Sequence, residues 1–145
     1  MRLTEQTSYA LRVVTACALR YPETARVAEL AEESGITEFT IFKLLKVATK
    51  AGLIVSTRGR GGGIRLAVSP AEVSVGQVIR AYEPRFQDCG PVAQMLAPED
   101  INPIDQKVSH MLGRGYAAFL AELDTIPIAR LLDDDTVAAS GTADA

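Results

Sequence analysis

The chain has 145 residues, 48% of them apolar, and a formal net charge of −3. That length suits one packed core or a small domain with an appendage, and the weak negative charge argues against a generic polyanion binder. The charge is unevenly spread, however: residues 1–68 hold ten Lys/Arg against six Asp/Glu, and residues 69–145 hold five against twelve, so a basic front half suited to nucleic acid precedes an acidic back half.

From Thr4 to about Arg20 the apolar positions Ala10, Val13, Val14, Cys17, Ala18 and Tyr21 recur at helical spacing. Cys17 lies on that inward stripe and reads as a buried structural thiol. Pro22 closes the helix. A short helix comes next over 27–33, with Val27, Leu30 and Ala31 inward, and Ser34-Gly35 stops it where a left-handed residue is needed. Thr37 then caps a helix over 38–51. Its inward face is Ile41, Leu44, Leu45 and Ala48, and its outward stripe is Phe39, Lys43, Lys46 and Lys50. Helix, glycine turn and helix with a basic outer stripe is the helix-turn-helix arrangement. For the lysines alone, a solvated face on an ordinary helical corner is the plainer reading.

The residues after Gly52 change that balance. Two β-prone runs, 53–57 and 64–68, flank Arg58-Gly59-Arg60-Gly61-Gly62-Gly63, with Arg65 just beyond. Glycine lets a backbone turn tightly and approach another surface closely, so the segment predicts a hairpin with a basic tip. A hairpin directly after a helix-turn-helix makes a winged helix. Its second helix enters the major groove by the N-terminal end while the wing straddles the backbone or the minor groove.

Pro70 begins a linker, and Ser74-x-x-Gln77 is a capping box for a helix through Tyr82, ended by Glu83-Pro84. Residues 84–104 carry four prolines and Cys89 with no sustained period, a loop long enough to be functional. Helical spacing returns at Ile104, Val108, Met111, Leu112, Gly115, Phe119 and Leu123. That face is too apolar to stand alone, and a partner subunit is its natural cover. The expected architecture is therefore mainly α: a winged helix-turn-helix domain at 1–83 with a two-stranded wing, a sensor-type loop at 84–104, a long C-terminal dimerisation helix and docking segment at 105–132, and a disordered tail at 133–145.

Cys17 and Cys89 are the only cysteines and form no disulfide framework. No run approaches the length of a membrane span, and a reducing cytoplasm is the expected compartment. An enzyme is not expected. The glycine-rich loop lacks the lysine-serine/threonine ending of a P-loop, and one histidine with two distant cysteines offers no nucleophile-base pair.

With these residues in view, the chain resembles the winged helix-turn-helix transcription regulators that include IscR, NsrR and RirA (the Rrf-two family) over roughly residues 1–132. The marks are Met1-Arg2-Leu3-Thr4 with Tyr9-Ala10, Lys50-Ala51-Gly52-Leu53, the wing Arg58 to Leu66, Glu83-Pro84, and Phe119-Leu120-Ala121-Glu122-Leu123-Asp124. Thr37 to Lys43 looks nearest to the RirA-like branch. The resemblance implies a cytoplasmic homodimer, a repressor, that binds a palindromic operator in double-stranded DNA, with the long C-terminal helix crossing to its partner. It also implies responsiveness to iron, redox state or nitric oxide. Many members hold an iron–sulfur cluster on three loop cysteines. Here only Cys89 stands in that loop, and Ser8 occupies the position of an aspartate ligand in the nitric-oxide-sensing branch. One cysteine per chain cannot build a thiolate-rich site. Cys89 is left with three readings: a single-cysteine ligand to an iron–sulfur cluster completed by non-cysteine residues, drawn from Glu99, Asp100, Asp105 or His110; a thiol switch; or a vestigial loop thiol.

On the DNA-binding reading, Phe39 and Lys43 probe base edges, and Thr37, Glu38 and Thr40 contact bases or phosphate. Arg58, Arg60 and Arg65 supply phosphate or minor-groove contacts, with Gly61 and Gly62 allowing close approach. Phe42 stays open between groove contact and packing. The alternative is a winged-helix protein-interaction module that binds an acidic partner and has no sequence-specific DNA binding.

Overall fold

The computed structural model describes residues 3–59, 62–83 and 102–133. Helix α1 (Glu5–Arg20) starts at Thr4, whose hydroxyl accepts from the Thr7 N–H, a cap worth about 1 kcal/mol. Its N-terminus is also held from a distance, since the buried carboxylate of Glu83 accepts the Thr4 N–H at 2.7 Å. Helix α2 (Val27–Ser34) ends at Gly35 with φ 66°, and the Arg12 guanidinium of α1 donates to the Ser34 carbonyl beside that turn. Helix α3 (Glu38–Lys50) begins at the Thr37 cap. It closes one residue earlier than expected, with Ala51 as its cap and Gly52 at φ 71°.

Strands β1 (Ile54–Thr57) and β2 (Gly63–Leu66) pair antiparallel, with Val55 opposite Arg65 and Thr57 opposite Gly63. The second run is therefore shorter than its β-prone residues predict, and Val68 is exposed. The other edge of β2 is not bare. Ala25 and Ile64 exchange both backbone hydrogen bonds at 2.8 Å, which ties the wing root to the segment between α1 and α2.

Helix α4 (Val75–Tyr82) opens on the expected Ser74–Gln77 capping box. Its Tyr82 hydroxyl donates to the Leu44 carbonyl of α3 at 2.5 Å, and burial raises the pKa of that hydroxyl. Helix α5 (Pro103–Asp124) begins two residues ahead of the expected boundary at 105. Asn102 caps it, and Pro103 sits in the first turn, where its missing N–H is no loss. The 3-10 turn Ile128–Leu132 comes last.

One apolar cluster joins all of these elements. The first helices do not close it by themselves, because Leu120 of α5 and Ile128 of the 3-10 turn are both buried in it. The C-terminal segment is also stitched on by backbone bonds. The Val75 N–H donates to the Ile126 carbonyl at 2.8 Å, and the Ile128 N–H to the Val73 carbonyl at 2.7 Å. Gly113 of α5 is also buried, and Tyr116 and Leu123 pack against the cluster, but Ile104, Val108, Met111 and Leu112 on the same helix are exposed. Most of the expected tail at 133–145, namely 134–145, and most of the expected loop at 84–104, namely 84–101, lie outside the described residues.

Candidate nucleic-acid interface

The site begins with the way α3 is set. Ile41, Leu44, Leu45 and Ala48 bury one face, so the opposite face is forced outward. Thr37, Glu38, Phe39, Phe42, Lys43, Lys46 and Lys50 are all exposed, and Thr40 is half-buried. The cap is tight, with the Thr37 and Thr40 hydroxyls 3.0 Å apart and the Thr40 N–H donating to Thr37 Oγ1 at 3.3 Å. The five expected residues of α3 and its cap are thus gathered at one end of one helix. Phe42 resolves outward, away from the core. Lys43 places its Nζ 4.2 Å from the centre of the Phe39 ring, a cation–π arrangement that orders both side chains.

The wing leaves the C-terminal end of α3 directly. The Leu53 N–H donates to the Ala48 carbonyl at 2.9 Å, and the Ala67 N–H returns to the Leu53 carbonyl at 3.0 Å. Arg58 is exposed just past β1. Arg65 is half-buried on β2 and turns its Nη1 onto the Leu66 carbonyl at 3.0 Å, so part of its donor set is spent on its own strand. Gly59 has φ 103°, and the Gly62 N–H donates to its carbonyl at 2.9 Å. A Cβ on Gly62 would lie 2.4 Å from the Thr57 carbonyl oxygen. The turn itself therefore requires glycine there, a steric reason separate from approach to DNA. Arg60 and Gly61 lie outside the described residues, as does Cys89.

The basic character of this surface is set by residues that the helical period singles out. The period does not show which distant segments hold the interface in place. Ala25, Glu83 and Tyr82 do so from elsewhere in the chain: Ala25 through its bridge to Ile64, Glu83 through the Thr4 N–H, and Tyr82 through the Leu44 carbonyl.

Cys17 is 1% exposed, and burial pushes its thiol up to about 12, with the charge of Glu33 adding to the effect. Among the described residues, no three His, Cys, Asp or Glu side chains are grouped so as to hold a metal ion, and His110 is exposed on α5. No helix of the described residues is long and apolar enough to cross a membrane.

Comparison with known proteins bears on this geometry. A family model described as Rrf2, iron-dependent transcriptional regulator, matches residues 3–134. The chain is 35% identical over 135 residues to the HTH-type transcriptional regulator NsrR of Geobacillus kaustophilus, covering 92% of this chain and 91% of that one. Over 86 residues it is 40% identical to protein aau3 of Rhizobium meliloti, covering 59% of this chain and 56% of that protein, so the match spans little more than half of that relative. Among solved structures, T. potens IscR superposes with a TM-score of 0.70 at 24% identity, covering 95% of this chain and 90% of that one. At that identity the likeness concerns the fold.

The family description names iron, and the residues of this chain do not fit a thiolate-bound cluster. Of its two cysteines, Cys17 is enclosed in the core as a neutral thiol. Cys89 alone remains, and cluster ligation rests on several thiolates.

Proposed function

The chain belongs to the Rrf2 family of transcriptional regulators, and on that premise we propose that it works in the cytoplasm as a homodimeric repressor on a palindromic operator. It is a DNA-binding regulator and not an enzyme. The observation that carries the finer reading is the uncovered outer face of α3, with Phe39 and Lys43 at its leading end and the Gly/Arg wing directly after it. The N-terminal half of α3 probes base edges, and Arg58, Arg60 and Arg65 neutralise phosphate from the wing. Homodimerisation is supported by the apolar stripe on α5, which the protomer leaves in water. The domain division rests on the same reasoning, with 1–83 reading DNA, 84–104 as a sensor-type loop and the helix beyond as the dimer arm.

The test is selection of binding sites from random duplex DNA by the full chain, and then a salt titration. The expected site is a palindrome whose halves lie one helical turn apart, roughly 34–36 Å, or a multiple of that. The logarithm of affinity should fall linearly with that of salt, by about 0.9 per phosphate contact. Arg60→Ala should weaken binding to every sequence and reduce that slope by about 1 for each wing engaged. Lys43→Ala should relax base preference instead. No enrichment of any sequence would leave a protein-contact module as the better reading.

A further inference from the structure

Two large aromatic rings stand in water at the leading end of α3, where no part of the core requires them. Phe39 is 70% exposed and Phe42 58%. At a spacing of three residues they are neighbours on one helix surface. The Lys43 ammonium over the Phe39 ring holds that ring at the helix surface.

The major groove offers a distinct edge for each base. Arg or Lys suits guanine, Asn or Gln suits adenine, Asp or Glu suits the cytosine amino group, and an apolar side chain suits the thymine 5-methyl. The outward residues at this end of α3 are Thr37, Glu38, Phe39, Phe42 and Lys43. A carboxylate and an ammonium are present, so a G·C pair has a reader for either base. Asn and Gln are absent, so an A·T pair has no bidentate partner on its adenine. The edge of that pair suited to a large apolar side chain is the thymine 5-methyl. The threonine hydroxyls are engaged with each other at the cap, which leaves the two rings as the large apolar surface at that end.

We infer that Phe39 and Phe42 are specificity-determining residues that pack against thymine 5-methyl groups in the major groove and so select A·T pairs at defined positions of each operator half. This rests on the proposed operator binding and names the base class that the same site takes.

The test uses duplexes selected by the full chain, with thymine replaced by deoxyuridine one symmetric pair at a time. That change deletes the methyl and leaves every hydrogen-bonding edge intact. At one or two positions per half, the wild-type protein should lose affinity by about fourfold for each methyl removed, the factor expected for burying one such group. In Phe42→Ala or Phe39→Ala that loss should disappear at the matching position. Both rings are exposed, so the variants should keep the wild-type circular dichroism. Phe42→Leu, which retains an apolar surface, should keep a methyl preference if any variant misfolds. A wild-type protein that selects a palindrome yet ignores every methyl overturns the inference while leaving the regulator reading intact. A methyl preference that survives in the double alanine variant also overturns it, assigning the reading to the threonines. Failure to select any sequence removes the regulator reading itself.

Discussion

The guanidinium of Arg80 on α4 clasps the carboxylate of Asp124, the last residue of α5, with Nη1 donating to Oδ1 at 2.5 Å and Nη2 donating to Oδ2. Ser74 adds its hydroxyl at 3.4 Å, so Asp124 sits over the first turn of α4. Gly76 makes room for it: a Cβ there would lie 2.2 Å from Asp124 Oδ1 and 3.0 Å from the Asp124 backbone nitrogen. The end of the proposed dimer arm is thereby fixed to the helix that leads into the expected sensor-type loop.

Asp124→Asn should destabilise the fold by about 1 kcal/mol, at the upper end for an ion pair that water still reaches. Chemical unfolding at fixed protein concentration measures it. The pH dependence has a definite sign. The Arg80 hydrogen bonds hold the Asp124 carboxyl below its usual range, so its folded pKa lies under the unfolded value of about 3.9. Its contribution is complete above that value and is lost as pH falls through the folded one. The gap between wild type and Asp124→Asn should therefore be constant near neutrality and narrow on acidification below about pH 4. A gap that widens there would contradict the assignment.

Gly62→Ala should open the wing without melting the domain. The added methyl meets the Thr57 and Gly59 carbonyl oxygens and the Arg58 carbonyl carbon, all backbone of the same hairpin, so no side chain can swing aside. Pairing of Thr57 with Gly63 should fray, seen as faster amide exchange there. The buried helices should stay protected. DNA affinity should fall on the order of tenfold, equivalent to about 1.4 kcal/mol. Unchanged affinity with a frayed hairpin would detach the wing from binding.

The glycine and the ion pair differ in how they can be read along the chain. Gly35, Thr37 and the Ser74–Gln77 box are legible because each cap is settled by residues within one turn. The inward stripe of α3 is legible because every residue on it answers to one core. The Ala25–Ile64 bridge is not, since a lone alanine carries no strand signal and its partner lies far along the chain. Arg80 and Asp124 are 44 residues apart, and neither breaks a local pattern. Asn102-Pro103 is a readable helix start, but the apolar period that defines the helix begins only at Ile104. Phe42 is ambiguous in sequence because helical period places it between the core and the outer stripe, and packing decides the matter.

Met111→Glu should convert the proposed dimer to monomers. Met111 is 71% exposed in the protomer and lies on the stripe formed by Ile104, Val108, Leu112 and Phe119. Burying a methionine is worth about 1.5–3 kcal/mol, and a two-fold interface loses it twice, so the dimer dissociation constant should rise by at least ~100-fold. Sedimentation equilibrium reads this directly. Leu120 and Ile128, which hold α5 and the 3-10 turn to the core, are untouched, so the monomer should keep its helical content. A dimer of unaltered strength would place the subunit contact elsewhere.

Cys17 should resist alkylation in the native protein at pH 8 and react fully in urea. Its thiol is enclosed between α1 and the rest of the core, and burial with the nearby Glu33 charge takes its pKa to about 12. The thiolate is the reacting species, so at pH 8 only on the order of one molecule in ten thousand would carry it. A native Cys89→Ser protein should accordingly take up no label, and wild type at most one per chain. The same variant tests the sensor question, because Cys89 is the cysteine that remains once Cys17 is set aside as a core residue. If that residue ligates nothing that DNA binding needs, Cys89→Ser should remain a dimer with wild-type operator affinity. A visible chromophore present in anaerobically purified wild type and absent from Cys89→Ser would show instead that a cluster is held by that thiol with non-cysteine partners.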